Sequence, residues 1–330
     1  MKFAFFGSGA AGSVFASYLR KGGADVILID RRADHMNKVG ADGMIFTRHL
    51  QENGVFYDVN DHLTGFRTYT SASDALAAEG TVDVLIFVTK AHQLKQALVD
   101  SVPVVGENTL VCSLINGLGN DDLLLSMYPA SRCLIGSGVL GTALPEVGHC
   151  VSTPVAGPQM NFGAIERNER TDAACAEMQK FFRSGGLEAY WRVDDVYKYI
   201  WKKVIVNATV NTVCAVLRLK IGQVNDDPFG RSLFHGVIRE SCAVATARGT
   251  ALDADDFIAH DFEDVVTNVA DYYPSMAQDM LFNHKQTEID VLNGKIADYG
   301  EELGIPTPTC TILSQVVRCI QGNYDNLYLK

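Results

Sequence analysis

Short apolar runs alternate with helical stretches through the first half of the chain. Lys2–Phe6, Val26–Ile29, Val84–Val88 and Leu110–Leu114 are near-continuous apolar runs, the pattern of strands buried on both faces of a parallel sheet. Between the first two, Ala11, Val14, Phe15, Tyr18 and Leu19 recur at i, i+3, i+4, i+7, i+8, which is one face of a helix, and Gly22-Gly23 stops it. Repeated, this strand–helix–strand unit predicts a doubly wound α/β sheet. Cys133–Gly136, Asn161–Ile165 and Leu187–Trp191 read as further strands, with a helix near Asp172–Arg183 before the last. After about Asp194 the strand-like runs stop. Asp195–Leu217 reads as one long helix. Asp227-Pro228 supplies an N-cap and first-turn pair for the next, which Gly249 can end. Helices follow over Asp253–Ala270, Ser275–Phe282, Glu288–Leu303 and Thr309–Gln321. The pattern predicts a parallel-sheet domain over residues 1–193 and an all-helical domain over residues 194–330.

The turn after the first strand carries chemistry. Gly7-Ser8-Gly9-Ala10-Ala11-Gly12 matches G-x-G-x-x-G, and here it follows a strand and opens an amphipathic helix. Gly7 permits the tight turn, Gly9 lets backbone approach a pyrophosphate, and Gly12 lets helix and sheet pack. The helix N-terminus then faces the phosphate charge. The first domain is thereby of the Rossmann type, and these six residues are its cofactor-binding loop. Asp30 ends the second strand, where a carboxylate accepts from ribose hydroxyls and repels a 2′-phosphate, which favours NADH. Arg31 and Arg32 follow at once and suit a 2′-phosphate, so NADPH stays open.

The long helix of the second half carries a polar line. Lys203, Asn207 and Asn211 are spaced i, i+4, i+8 among apolar residues and so share one face. One reading is a hydrogen-bonded seam between buried helices. The other is a lysine that donates a proton beside two amides that orient a substrate. Hydride addition to a 2-oxo carbon develops negative charge on the carbonyl oxygen, which an ammonium stabilises and protonates.

Composition narrows the classes. With 330 residues, 47% hydrophobic and 20% charged, the chain is globular and long enough for two domains. A net charge of −11 disfavours nucleic acid or an anionic membrane as partner. The eight cysteines form no C-x-x-C pair and read as buried thiols in a reducing compartment. The start Met1-Lys2-Phe3-Ala4-Phe5-Phe6 breaks into Gly-Ser-Gly where a signal peptide would stay apolar, and no apolar stretch approaches a membrane span. These features predict a cytoplasmic protein. None of the eight histidines falls in a motif that needs a His base; His92 reads as a loop residue. No metal is implied, since Asp253, Asp255 and Asp256 fall at a helix start.

Taken in order, six motifs resemble those of the ketopantoate reductases (2-dehydropantoate 2-reductases). They are the glycine loop, Val88-Thr89-Lys90-Ala91, Asn116-Gly117-Leu118-Gly119, Lys203-x3-Asn207-x3-Asn211, Ser275-Met276-x-Gln278-Asp279, and Thr287-Glu288-Ile289-Asp290-x-x-Asn293-Gly294. The resemblance runs along essentially the whole chain. It implies a Rossmann domain and a helical domain with the active site in the cleft between them, and reduction of a 2-oxo acid such as 2-dehydropantoate to the (R)-2-hydroxy acid with NAD(P)H. It implies Lys203 as general acid, Asn207, Asn211 and Ser275 as substrate ligands, and Lys90 and Asn116 at the nicotinamide end, Asn116 also facing substrate. Glu288 then partners the cofactor and the lysine.

The sequence departs from the family pattern in three places. Asp30 stands where NADP-using members carry Arg, Ile221 stands where many carry a substrate-touching Asn, and the segment from Asp279 to Glu288 is one residue longer. These departures are similar to an NAD-dependent branch, the D-2-hydroxyacid dehydrogenases of bulky acids such as mandelate, where an apolar side chain would suit Ile221. A non-catalytic nucleotide-binding protein is the distant alternative, with no need of Lys203, Asn207, Asn211 and Glu288 together. Apolar surface on the helical domain would support a homodimer.

Overall fold

The buried strands of the main sheet form where apolar runs are unbroken. The computed structural model describes residues 1–52, 54–155 and 157–327. Its strands are β1 (Lys2–Phe6), β2 (Asp25–Ile29), β3 (Met44–Glu52), β4 (Val55–Leu63), β5 (Arg67–Tyr69), β6 (Val84–Phe87), β7 (Leu110–Ser113), β8 (Cys133–Gly138), β9 (Leu140–Glu146), β10 (His149–Pro154), β11 (Met160–Ala164) and β12 (Ala189–Trp191). The helices that matter for the site are α1 (Ala10–Lys21), α2 (Glu169–Ser184), α3 (Val196–Leu217), α4 (Pro228–Ala247), α5 (Ser275–Leu281), α6 (Asn293–Leu303) and α7 (Pro308–Gln321).

Two compact units divide the chain. One holds Met1–Ile115 and Asn120–Val196, the other Asn116–Gly119 and Tyr197–Lys330. The boundary lies a few residues beyond the expected 193/194, and a four-residue loop from the first half groups with the second unit.

The first unit contains an eight-stranded sheet in the order β12-β11-β8-β7-β6-β1-β2-β5. β1 pairs in parallel with β2 on one side and β6 on the other. The strand order reverses there, which is the switch point where dinucleotides bind in such sheets. Phe3, Phe5, Val26, Leu28, Val84 and Ile86 are buried under α1 and its neighbours. The sheet is mixed rather than purely parallel: β11 runs antiparallel to β8. The physical reason is the connection. A parallel neighbour needs a long crossover, usually a helix, but a hairpin, β9–β10, fills the interval between β8 and β11.

A second sheet, of order β4-β3-β10-β9, goes beyond the expected architecture. Its strands interleave polar and apolar residues and lack continuous hydrophobic runs, so the apolar pattern does not announce them. It covers α1, where the Tyr18 ring meets Phe46 edge-on at 4.8 Å, and the Tyr18 hydroxyl bonds Ser152 Oγ at 2.9 Å.

The second unit is helical among its described residues. α4 begins as anticipated, with the Asp227 carboxylate accepting from the backbone of Phe229 and Gly230 ahead of Pro228. α3 corrects one expectation. Its 22 residues are long and apolar enough to cross a membrane by length and composition, although 67% of its most apolar window is buried inside the protein, as in a core helix. It also corrects another, since it is not a uniform α-helix: Asn207–Asn211 forms a π-turn. All eight cysteines are free, and only Cys319 is exposed.

Candidate active site

In the first unit the glycine loop is built as the motif requires. Gly7 has φ +100°, a conformation that side chains rarely adopt. A Cβ on Gly12 would lie 2.0 Å from the Gly7 carbonyl oxygen, so only glycine allows α1 to start this close to β1. Gly9 contrasts with both: a Cβ there would meet nothing within 4 Å. Gly9 is the N-cap of α1 with no side-chain cap, so the first amides of the helix, at Ala10 and Ala11, lie beside open space. Free helix N-terminal amides next to an open glycine suit an anionic phosphate, and the loop fits a dinucleotide.

Asp30 is tied to that loop. Its Oδ2 accepts from the Ser8 backbone N–H at 2.6 Å, and its Oδ1 accepts from the Arg32 N–H at 2.9 Å. Each carboxylate oxygen keeps a further lone pair for a ribose hydroxyl. The two arginines differ. Arg32 folds back, its Nη2 donating to the Ser8 carbonyl at 2.7 Å, whereas Arg31 is exposed. Lys90 is also exposed, just after Thr89, whose methyl group flanks Gly7.

Sequence reasoning missed the support beneath the loop. His35 is 0% exposed. Its Nδ1 accepts from the Gly148 N–H at 3.1 Å, which leaves Nε2 to donate to Ser13 Oγ at 3.1 Å. Ser13 Oγ in turn donates to the Ser8 carbonyl at 3.0 Å. Burial, then the Arg32 charge, hold the imidazole pKa below its usual value, which agrees with this neutral tautomer. The only sequence signal was a histidine five residues beyond Asp30.

In the second unit three predicted residues come together. Lys203 is half-buried on α3, and its Nζ donates to Asn116 Oδ1 at 2.6 Å. Desolvation lowers the Lys203 pKa from 10.5 to about 8, while the Glu288 charge acts in the opposite direction. The adjacent Lys202 points elsewhere, its ammonium held by both oxygens of Asp261 at 2.6 and 2.7 Å. Successive helical residues are about 100° apart, so only one of the two lysines joins the polar line.

The loop bearing Asn116 is fastened to the segment that follows Glu288. The Leu118 N–H donates to the Val291 carbonyl at 2.9 Å, and a Cβ on Gly117 would lie 2.5 Å from Val291 Cγ2. The glycine of Asn116-Gly117 therefore permits the approach that sets Asn116 beside the lysine. Further along α3, buried Asn211 donates from Nδ2 to Ser275 Oγ at 3.4 Å, at the start of α5. Asn207, half-buried, opens the π-turn between them. A π-turn takes more residues per revolution than an α-turn, so it brings Asn211 nearer to the line of Lys203 than uniform α winding would. Ile221 is 1% exposed and packed in the core, so it presents no side-chain surface. Chemically, the second unit offers an ammonium of lowered pKa beside one neutral amide, Asn116, and a second amide paired with a hydroxyl, Asn211 with Ser275, further along α3.

A family model described as Ketopantoate reductase PanE/ApbA matches residues 3–167, and one described as Ketopantoate reductase PanE/ApbA C terminal matches residues 195–321. A 2-dehydropantoate 2-reductase of Streptococcus pyogenes is 31% identical over 311 residues, covering 94% of this chain and 95% of the relative. Among solved structures, D-mandelate dehydrogenase with NADH and anilino(oxo)acetate superposes with a TM-score of 0.80 at 28% identity, covering 98% of this chain and 99% of that one. A PanE/ApbA family ketopantoate reductase from Ralstonia eutropha superposes at 0.78 with 25% identity, covering 99% and 100%. With both halves matched in order, the chain belongs to the ketopantoate reductase family of oxidoreductases.

Proposed function

We propose that the protein reduces a 2-oxo acid to the (R)-2-hydroxy acid with a nicotinamide dinucleotide, and that Lys203 supplies the proton. The observation that carries this reading is the Lys203–Asn116 pair, a desolvated ammonium with a pKa near 8 held at 2.6 Å by an amide oxygen. A general acid works best when its pKa lies near the working pH.

The dinucleotide, when bound, supplies the hydride. Gly7, Ser8, Gly9, Ala10, Ala11 and Gly12 hold its pyrophosphate, and Asp30 takes the ribose hydroxyls. Lys90 and Asn116 serve the nicotinamide end. Asn116 Oδ1 accepts a hydrogen bond from one N–H of the Lys203 ammonium and so aims another N–H at the substrate oxygen. Lys203 gives that proton to the oxygen as the carbonyl carbon is reduced, and recovers it from water. Asn207, Asn211 and Ser275 hold the carboxylate and hydroxyl by neutral donors, which orient an anion without adding fixed charge. Glu288 keeps Lys203 protonated at neutral pH, because its charge raises a pKa that burial lowers. The first substrate in this reading is 2-dehydropantoate.

A second reading, an NAD-dependent D-2-hydroxyacid dehydrogenase, is favoured by two residues. Asp30 holds a carboxylate beside the glycine loop, and Ile221 stands where the resemblance places a substrate-touching Asn in many members. The solved structure of D-mandelate dehydrogenase is a ternary one with NADH and anilino(oxo)acetate, and a ligand with an apolar ring fits the loss of a polar contact. The separating experiment follows nicotinamide absorbance with 2-dehydropantoate and with 2-oxoisocaproate, each with NADH and NADPH. Turnover of 2-dehydropantoate with NADPH supports the first reading; turnover of 2-oxoisocaproate with NADH supports the second. Binding of cofactor without turnover of either acid refutes both.

A further inference from the structure

α3 changes its winding where its polar residues lie. A π-turn alters the step of the backbone ladder and leaves a carbonyl outside the helical series. Here the Ala208 carbonyl, inside the Asn207–Asn211 turn, accepts from Asn293 Nδ2 at 3.0 Å. The other end of the same amide, Asn293 Oδ1, accepts from Thr212 Oγ1 at 2.6 Å. Thr212 is the first residue after the turn. One side chain thus bridges the inside of the π-turn and its exit.

Asn293 is 0% exposed. Water cannot replace its bonds, so losing either leaves a buried polar group unpaired, which is costly. Its position ties it to the rest of the polar line. Asn293 opens α6, and the five residues before it include Glu288, which biases Lys203, and Val291, which holds the Asn116 loop. One short segment therefore touches three parts of the arrangement.

We infer that Asn293 is a positioning residue of the active site, holding the π-turn and thereby the angle between Lys203 and the amides of Asn207 and Asn211. Rewinding those five residues as ordinary α-helix would turn Asn211 relative to Lys203 by on the order of a quarter revolution. Asn293 touches neither substrate nor cofactor in this account and acts through the backbone of α3. The inference rests on the reading of Lys203 as proton donor and of the two asparagines as substrate ligands.

The test uses the full chain with Asn293→Ala and Thr212→Val. Steady-state kinetics are measured with whichever 2-oxo acid the wild type reduces, alongside NADH affinity by fluorescence, the pH profile and the melting temperature. Both variants are expected to lose about 10- to 100-fold in kcat/KM, with a raised KM for the oxo acid. NADH affinity should stay within about twofold and the pH midpoint should not move. A folded variant with wild-type kcat/KM and KM overturns the inference, as does a loss confined to melting temperature and active fraction with KM unchanged. If Asn293→Ala fails to fold, Thr212→Val decides, since it removes only a hydroxyl donor at nearly constant shape. If the wild type reduces no oxo acid, the functional reading fails on its own. Hydrogen exchange across residues 203–213 then decides the structural claim: faster exchange confined to the π-turn in the variants supports it, and unchanged exchange overturns it.

Discussion

Lys203 Nζ donates to Asn116 Oδ1 at 2.6 Å, joining two residues 87 positions apart. The bond depends on a loop that leaves the first half of the chain and is fastened by Val291. Lys203→Ala should remove the proton donor and leave the glycine loop untouched. The expected outcome is a loss of kcat by about 10²- to 10⁴-fold, with NADH affinity unchanged in a fluorescence titration. A loss of NADH binding equal to the loss of kcat would point to a structural lysine instead.

The pH dependence follows from the direction of the Lys203 shift. Reduction needs the protonated amine, so its rate should be highest at low pH and fall as pH rises through about 8. Oxidation of the hydroxy acid needs the neutral amine as base and should rise across the same midpoint. Glu288 raises the Lys203 pKa against desolvation, so Glu288→Gln should move both limbs to lower pH. Profiles of kcat/KM in the two directions, taken for wild type and Glu288→Gln, check the sign.

Gly12→Ala would place a methyl group 2.0 Å from the Gly7 carbonyl oxygen. The backbone must move to admit it, at a cost of about 1–3 kcal/mol. NADH affinity should fall at least about tenfold through the displaced loop. Gly9→Ala, where a Cβ meets nothing, should leave thermal stability near that of wild type and still weaken NADH, because the methyl group occupies the space offered to phosphate. Calorimetry with and without NADH separates the two effects.

Asp30→Ala should lower the preference for NADH over NADPH by about tenfold, with exposed Arg31 left to meet a 2′-phosphate. NADPH should gain little in absolute terms, since Asp30 also holds the Ser8 amide. The ratio of kcat/KM for the two cofactors is the readout.

What was legible in the sequence divides by burial. β1, β2, β6 and β7 are buried on both faces, so their apolar runs announced them within a residue or two. β3 and β4 were not seen. Val55 and Phe56 are 65% and 71% exposed, and their mixture with polar residues breaks the two-residue period. The Lys203, Asn207 and Asn211 line was visible because α3 is mainly apolar around it. The π-turn was not, because no residue pattern separates a four-residue step from a five-residue one. His35 and Asn293 earn their roles from tertiary partners at Gly148 and Ala208, each far along the chain. A lone polar residue carries no local sign of such a partner.

The most direct test of the account is a single assay: NADH oxidation at the nicotinamide band by wild type and by Lys203→Ala, each offered 2-dehydropantoate and 2-oxoisocaproate. The account predicts turnover of at least one acid by wild type, falling with pH through about 8, and near-complete loss in the variant with NADH still bound. Turnover of either acid by Lys203→Ala at the wild-type rate would contradict it.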